Sequence, residues 1–147
     1  MNSQTPASDI SYFRLSLIDF LKESHPERLY ENRFITARTN TATEAFEQAV
    51  RNGNTPIEAM EQANAVLYQD LHFSKHNTLL NILWNEFADE VPEEEASSLS
   101  IALLPECEPI FSQYPISDSF AYQPQYEFLY TELTGVIALY LEGSGIQ

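Results

Sequence analysis

The stretch Thr55-Pro56-Ile57-Glu58-Ala59-Met60-Glu61-Gln62-Ala63-Asn64-Ala65-Val66-Leu67 contains a complete helix start in its own residues. Thr55 is the N-cap, with a hydroxyl that can accept a backbone N–H of the first turn. Pro56 stands where a missing N–H costs nothing, and Glu58 is the capping-box partner. Met60, Ala63 and Leu67 follow at spacings of three and four, the period of one helical face. Just upstream, Asn52-Gly53 is a stop signal for the preceding helix. Read outward from this helix, the chain is all-α: a compact bundle-like array of six or seven helices, with no segment that reads as a strand.

Toward the N-terminus, a second helix is expected from about Asn32 to Arg51, with Phe34, Ala37 or Thr41, Ala45 and Ala49 inward. In the first helix, Ser8 or Asp9 is the cap, and Ile10, Phe13, Leu17, Phe20 and Leu21 share a face. Ser24-His25-Pro26 ends it, because the residue before proline avoids the helical region. Tyr12, Leu15 and Ile18 fall off that face and suit a second neighbour or a symmetric dimer. Residues 1–7 read as a flexible tail, and 8–147 as a single all-helical domain.

Toward the C-terminus, Ser74 caps a fourth helix with Leu79, Leu80, Leu83, Trp84 and Phe87 buried and Asn81, Asn85 and Asp89 exposed. Pro92 opens a fifth, whose first-turn Glu93, Glu94 and Glu95 complement the positive end of the helix dipole. Leu99, Leu103 and Leu104 are its apolar positions, and Pro105 is expected to break it before a short helix reaching Tyr114. Residues 115–124 read as a loop pinned by Phe120 and Tyr122. The last helix, about Gln125 to Glu142, carries a broad stripe of Tyr126, Leu129, Leu133, Val136, Ile137 and Tyr140. A helix so apolar is expected to sit centrally.

Charge is distributed very unevenly. All seven Lys and Arg lie at or before Lys75, against ten acids, a formal −3. The 72 residues beyond hold twelve acids and no Lys or Arg, a formal −12. A net of −15 repels phosphates and anionic lipid, so neither direct nucleic-acid binding nor a membrane is expected, and a basic protein is the partner the field suits. One cysteine, Cys107, excludes an internal disulfide. No apolar run approaches a membrane span and no secretory leader is read, so the expected location is the cytoplasm.

Six collinear motifs resemble a known family. They are Leu71-His72-Phe73-Ser74-Lys75-His76, Ile82-Leu83-Trp84-Asn85-Glu86-Phe87, Glu90-Val91-Pro92-Glu93-Glu94-Glu95-Ala96, Leu104-Pro105-Glu106-Cys107-Glu108, Asp118-Ser119-Phe120-Ala121-Tyr122 and Tyr130-Thr131-Glu132-Leu133-Thr134-Gly135. From about Tyr12 onward the chain resembles the small helical proteins of Bacteroidetes designated domain of unknown function 1896. The resemblance implies an all-helical fold and a setting among genes of conjugative transposons. It implies no activity, cofactor or catalytic residue.

No catalytic constellation emerges from the residues themselves. His72 and His76 have the i, i+4 spacing of two metal ligands on a helical face, with Glu86, Asp89 or Glu90 as a third. If Ser74 is a cap, however, His72 lies outside the helix and that geometry is lost. Cys107 stands between Glu106 and Glu108, which disfavour a thiolate. The chain has no calcium loop and no glycine-rich phosphate cradle. The reading is therefore a non-enzymatic protein without cofactor, monomer or homodimer, that binds a basic protein. Its expected surface comprises Glu90, Glu93, Glu94, Glu95, Tyr114, Phe120 and Tyr122. Rival readings are a metal-binding protein or metal-assisted enzyme using His72 and His76, and an inhibitor that mimics DNA.

Overall fold

The capping box at Thr55 forms as read: Glu58 N–H donates to Thr55 Oγ1 at 3.2 Å, and Thr55 N–H donates to the Glu58 carboxylate at 2.9 Å. In a computed structural model, which describes residues 4–143, it opens the third of six helices. These are α1 (Gln4–Ser24), α2 (Asn32–Arg51), α3 (Pro56–Leu67), α4 (Lys75–Glu86), α5 (Glu93–Phe111) and α6 (Gln125–Gly143). Short 3-10 turns occupy Pro26–Arg28 and Phe120–Tyr122, and no strand occurs among the described residues. The all-α expectation holds. No helix is long and apolar enough to cross a membrane among those residues. Part of the expected tail, residues 1–3, lies outside the described residues. The backbone is helical from Gln4, so Ser8 and Asp9 lie within α1 and do not cap it.

Contacts divide the chain into two compact units, Met1–Leu71 and His72–Gln147. In the first, Phe13, Leu17 and Leu21 of α1 meet Ile35 and Ala42 of α2 and Ala63 and Leu67 of α3, all essentially inaccessible. Gly53, at φ +93°, makes the turn between α2 and α3 in a conformation other residues rarely adopt. The inward register of α2 differs from the sequence reading. Ile35, Thr39, Ala42 and Ala49 are buried, whereas Ala37 and Thr41 are exposed. Phe34 packs against this core only half-buried, with the guanidinium groups of Arg28 and Arg38 over its ring at 4.0 and 4.8 Å.

Arg38 also closes the C-terminal end of α3. Its Nη1 donates to the carbonyls of Val66 (3.2 Å), Leu67 (3.1 Å) and Gln69 (2.7 Å), where a cation complements the helix dipole. Buried His25 donates from Nε2 to Leu71 O at 2.8 Å, which fixes the tautomer, since a carbonyl only accepts.

In the second unit α4 packs on α5, and α6 packs on both. The core joins Leu79, Ile82 and Leu83 of α4, Leu103, Cys107 and Phe111 of α5, and Leu129, Leu133 and Ile137 of α6. Pro105 does not break α5, which runs unbroken through both Pro105 and Pro109. The two prolines are exposed and one turn apart, so the Ile101 and Pro105 carbonyls that lose N–H partners lie on the water-facing side. Buried Leu103, Leu104, Cys107 and Phe111 hold the opposite side in helical register. α6 is covered on one face only. Phe128 and Leu139 are 66% and 70% exposed, so the expectation of an enclosed central helix does not hold.

Candidate functional site

The acidic residues singled out in the sequence are gathered by the turn between α4 and α5. Phe87 ends α4, accepting at its carbonyl from Glu90 N–H (3.1 Å) and Val91 N–H (2.9 Å). The chain then reverses and Pro92 leads into α5 in an extended conformation. Glu93, Glu94 and Glu95 fill the first turn of α5, where they favour the positive end of its dipole. All three are exposed, as is Glu90. None of the four carboxylates has a hydrogen-bond or ion-pair partner among the described residues. In the same unit other carboxylates are engaged: Glu108 with Lys75 Nζ at 3.0 Å, Glu86 with Tyr130 at 3.0 Å, and Glu132 with Tyr114.

The aromatic part of the expected surface divides. Phe120 is wholly buried, edge-on to Phe73 at 5.5 Å, to Tyr114 at 6.0 Å and to Tyr126 at 6.4 Å. It is a core residue of the second unit and belongs to no surface. Tyr122, two residues on, is 89% exposed. A single 3-10 turn sends the first ring inward and leaves the second out. Tyr114 is half-buried and donates its phenol proton to Glu132. That bond, then burial and the carboxylate charge, raise its pKa.

Trp84 is the residue the sequence misplaced in the opposite sense. Expected in the core, it is 45% exposed on the last turn of α4. Leu79, Ile82 and Leu83 supply the buried stripe, and Trp84 falls beside it. Trp84, Ala88, Val91 and Glu93 line a cleft of about 380 Å³. A neighbouring cleft of about 360 Å³ shares Val91 and is lined further by Glu90, Glu94, Glu95 and Leu99. Counting apolar spacing cannot distinguish Trp84 from Leu83; the one available signal was the polar run Asn85-Glu86 directly after it.

The histidine spacing does not become a shared site. Ser74 caps α4, accepting from Asn77 N–H at 2.9 Å, so His72 lies before the helix. His72 is exposed, and its backbone N–H donates to Asp118 at 3.0 Å. His76 is buried, with Nδ1 2.8 Å from Ser100 Oγ. Ser100 spends its own proton on Ser97 O at 2.8 Å, so His76 Nδ1 is the donor in this pair. A serine that donates elsewhere and is itself inaccessible is no nucleophile. Among the described residues no three His, Cys, Asp or Glu side chains are arranged to hold a metal ion. Cys107 is fully buried, and burial first, with the Glu106 charge second, pushes its thiol up to about 11. The thiolate needed for nucleophilic chemistry is suppressed.

Comparison with known proteins accords with the helical architecture. The family model described as domain of unknown function (DUF1896) matches residues 5–146. The crystal structure of protein PG0816 from Porphyromonas gingivalis has the same fold, with a TM-score of 0.92 and 40% identity over 98% of each chain. No curated protein matches.

Proposed function

The chain belongs to the DUF1896 family, whose description carries no activity, and from that premise we propose that it works by contact, as an acidic accessory protein that binds a basic protein. One observation carries this reading. From His72 to the end the sequence holds twelve acids against one lysine, a formal −11, and that lysine is already paired with Glu108. Carboxylates without internal partners, Glu90 and Glu93 to Glu95 among them, set up a field that steers a cationic surface toward this unit. The conjugative-transposon setting implied by the sequence resemblance supplies basic, nucleic-acid-handling proteins as partners of the right charge.

The test is affinity capture with the full chain at low ionic strength, identification of the captured protein, and titration of the purified pair. A partner of high isoelectric point is expected, with affinity falling as salt rises, because exposed charges are screened. Capture of nothing above background, or a partner whose binding ignores salt, ends the reading.

A further inference from the structure

The reading above assigns a charge to the partner but no docking point. Trp84 supplies one. A tryptophan 45% exposed on the last turn of α4 leaves a large apolar ring in water. The ring does not stand alone: together with Ala88 and Val91 it lines one cleft, and Leu99 extends the apolar lining in the cleft that shares Val91 with it. Around this apolar floor stand the carboxylates of Glu90, Glu93, Glu94 and Glu95, none with an internal partner among the described residues. The unit's single Lys or Arg is Lys75, and its ammonium is bonded to Glu108 at 3.0 Å.

We infer that the Trp84–Val91 cleft is a docking site for a lysine- or arginine-bearing segment of a partner protein that also presents an apolar side chain. The inference rests on the acidic-partner reading and deepens it. The complementarity has two parts. An aliphatic side chain of the partner covers exposed Ala88 and half-buried Leu99, over a floor formed by buried Val91, removing apolar surface from water. A cationic side chain lays its stem along the indole and places its head among the carboxylates, combining a cation–π contact with charge pairing. Tryptophan is the strongest aromatic partner for a cation and is enriched among residues that dominate interfaces.

Trp84 is the chain's single tryptophan, so emission excited at a wavelength that the eight tyrosines do not absorb reports on this cleft alone. The probes are two synthetic peptides of equal positive charge, one an amphipathic Lys/Leu sequence and the other Lys/Ser. The Lys/Leu peptide is expected to bind more tightly and to shift Trp84 emission to the blue; the Lys/Ser peptide is expected to bind weakly without a shift. Trp84→Ala should weaken the Lys/Leu peptide by roughly tenfold or more, the scale of an aromatic anchor, and leave the Lys/Ser peptide unchanged. Trp84→Phe should restore part of the loss. Glu93→Gln with Glu94→Gln should weaken both peptides. Equal binding of both peptides with unmoved emission overturns the cleft as the docking point while leaving the acidic-partner reading intact. Failure of both peptides to bind at low salt removes both. A blue shift produced by raising protein concentration alone assigns the cleft to a second copy of this chain and also overturns the inference.

Discussion

The units Met1–Leu71 and His72–Gln147 each pack three helices around an apolar core, but they secure their connections by different chemistry. The first uses cations: Arg38 closes the end of α3 through three carbonyls, Arg28 and Arg38 bracket Phe34, and His25 holds Leu71. The second has one lysine and secures its long α5–α6 connection with a buried ring, Phe120, among Phe73, Tyr114 and Tyr126. A unit whose interior relies on rings and hydroxyls needs few cations. Its carboxylates then remain outward and uncompensated, so the mode of internal cohesion and the character of the surface have a common origin.

The largest expected effect follows from the aromatic tie. Phe120→Ala removes a fully buried ring and should cost about 3–5 kcal/mol, read as an earlier urea midpoint by Trp84 fluorescence and as lost hydrogen-exchange protection in residues 114–130. A cost below about 1 kcal/mol would show that the connection is held by something other than this ring. The cationic tie of the first unit comes next. Arg38→Ala should cost about 2 kcal/mol, since a charge-assisted donor to several carbonyls is lost, with exchange rising in residues 64–71. Arg38→Lys should recover only part of this, because an ammonium loses the planar guanidinium face that lies over the Phe34 ring. Full recovery by lysine would reduce the role of Arg38 to a simple point charge.

Alkaline pH sharpens the contrast further. The thiol of Cys107 sits at about 11 in the folded protein, above its ordinary 9.0, so the folded state holds this proton more tightly than the unfolded chain. Its contribution is complete below about pH 9 and disappears as pH rises through about 11. Burial and the carboxylate of Glu86 push Tyr130 the same way, and the bond to Glu132 does so for Tyr114. The Cys107 thiol alone should therefore cost the second unit on the order of 1–2 kcal/mol between about pH 9 and 11, measured as urea midpoints by Trp84 emission. Cys107→Ala should flatten that slope, whatever it does to stability at neutral pH. A slope unchanged in this variant would assign the loss to the tyrosines alone.

What the sequence revealed and what it concealed divide along the range of the forces involved. The capping box at Thr55 and the cap at Ser74 were legible because every participant lies within three residues. The exposed glutamates at the start of α5 were legible for the same reason. On α2 the burial of Ala49 was legible, but Ile35 and Ala42 rather than Ala37 or Thr41 face the core, and Phe34 stays half-exposed under Arg28 and Arg38, contacts that no apolar count registers. Pro105 followed the local rule for helix breaking, but tertiary burial of its neighbours prevailed. At the candidate site the charged half was readable and the aromatic half was inverted. Phe120 is enclosed and Trp84 emerges, because the exposure of a ring depends on which helices arrive beside it.

The smallest expected effect bears on the charge contrast itself. Two effects of salt oppose each other in the second unit. Screening weakens the exposed Lys75–Glu108 pair, whose contribution is at most about 1 kcal/mol. It also weakens repulsion among twelve acids that one lysine cannot offset. Going from about 0.1 to about 1 M NaCl shortens the screening length from about 10 to about 3 Å. Repulsion is spread over many separations longer than this, whereas the pair at 3.0 Å remains inside it, so relief of repulsion wins. Exchange protection in residues 72–143 should therefore rise with salt, by more than it rises in residues 10–71, where nine acids are set against six Lys and Arg. General strengthening of apolar burial by salt acts on both cores, and the difference between the units isolates the charge term. Equal gains in the two units would mean that the surplus charge is too dispersed to form a concentrated field, and the steering argument for a basic partner would lose its physical basis.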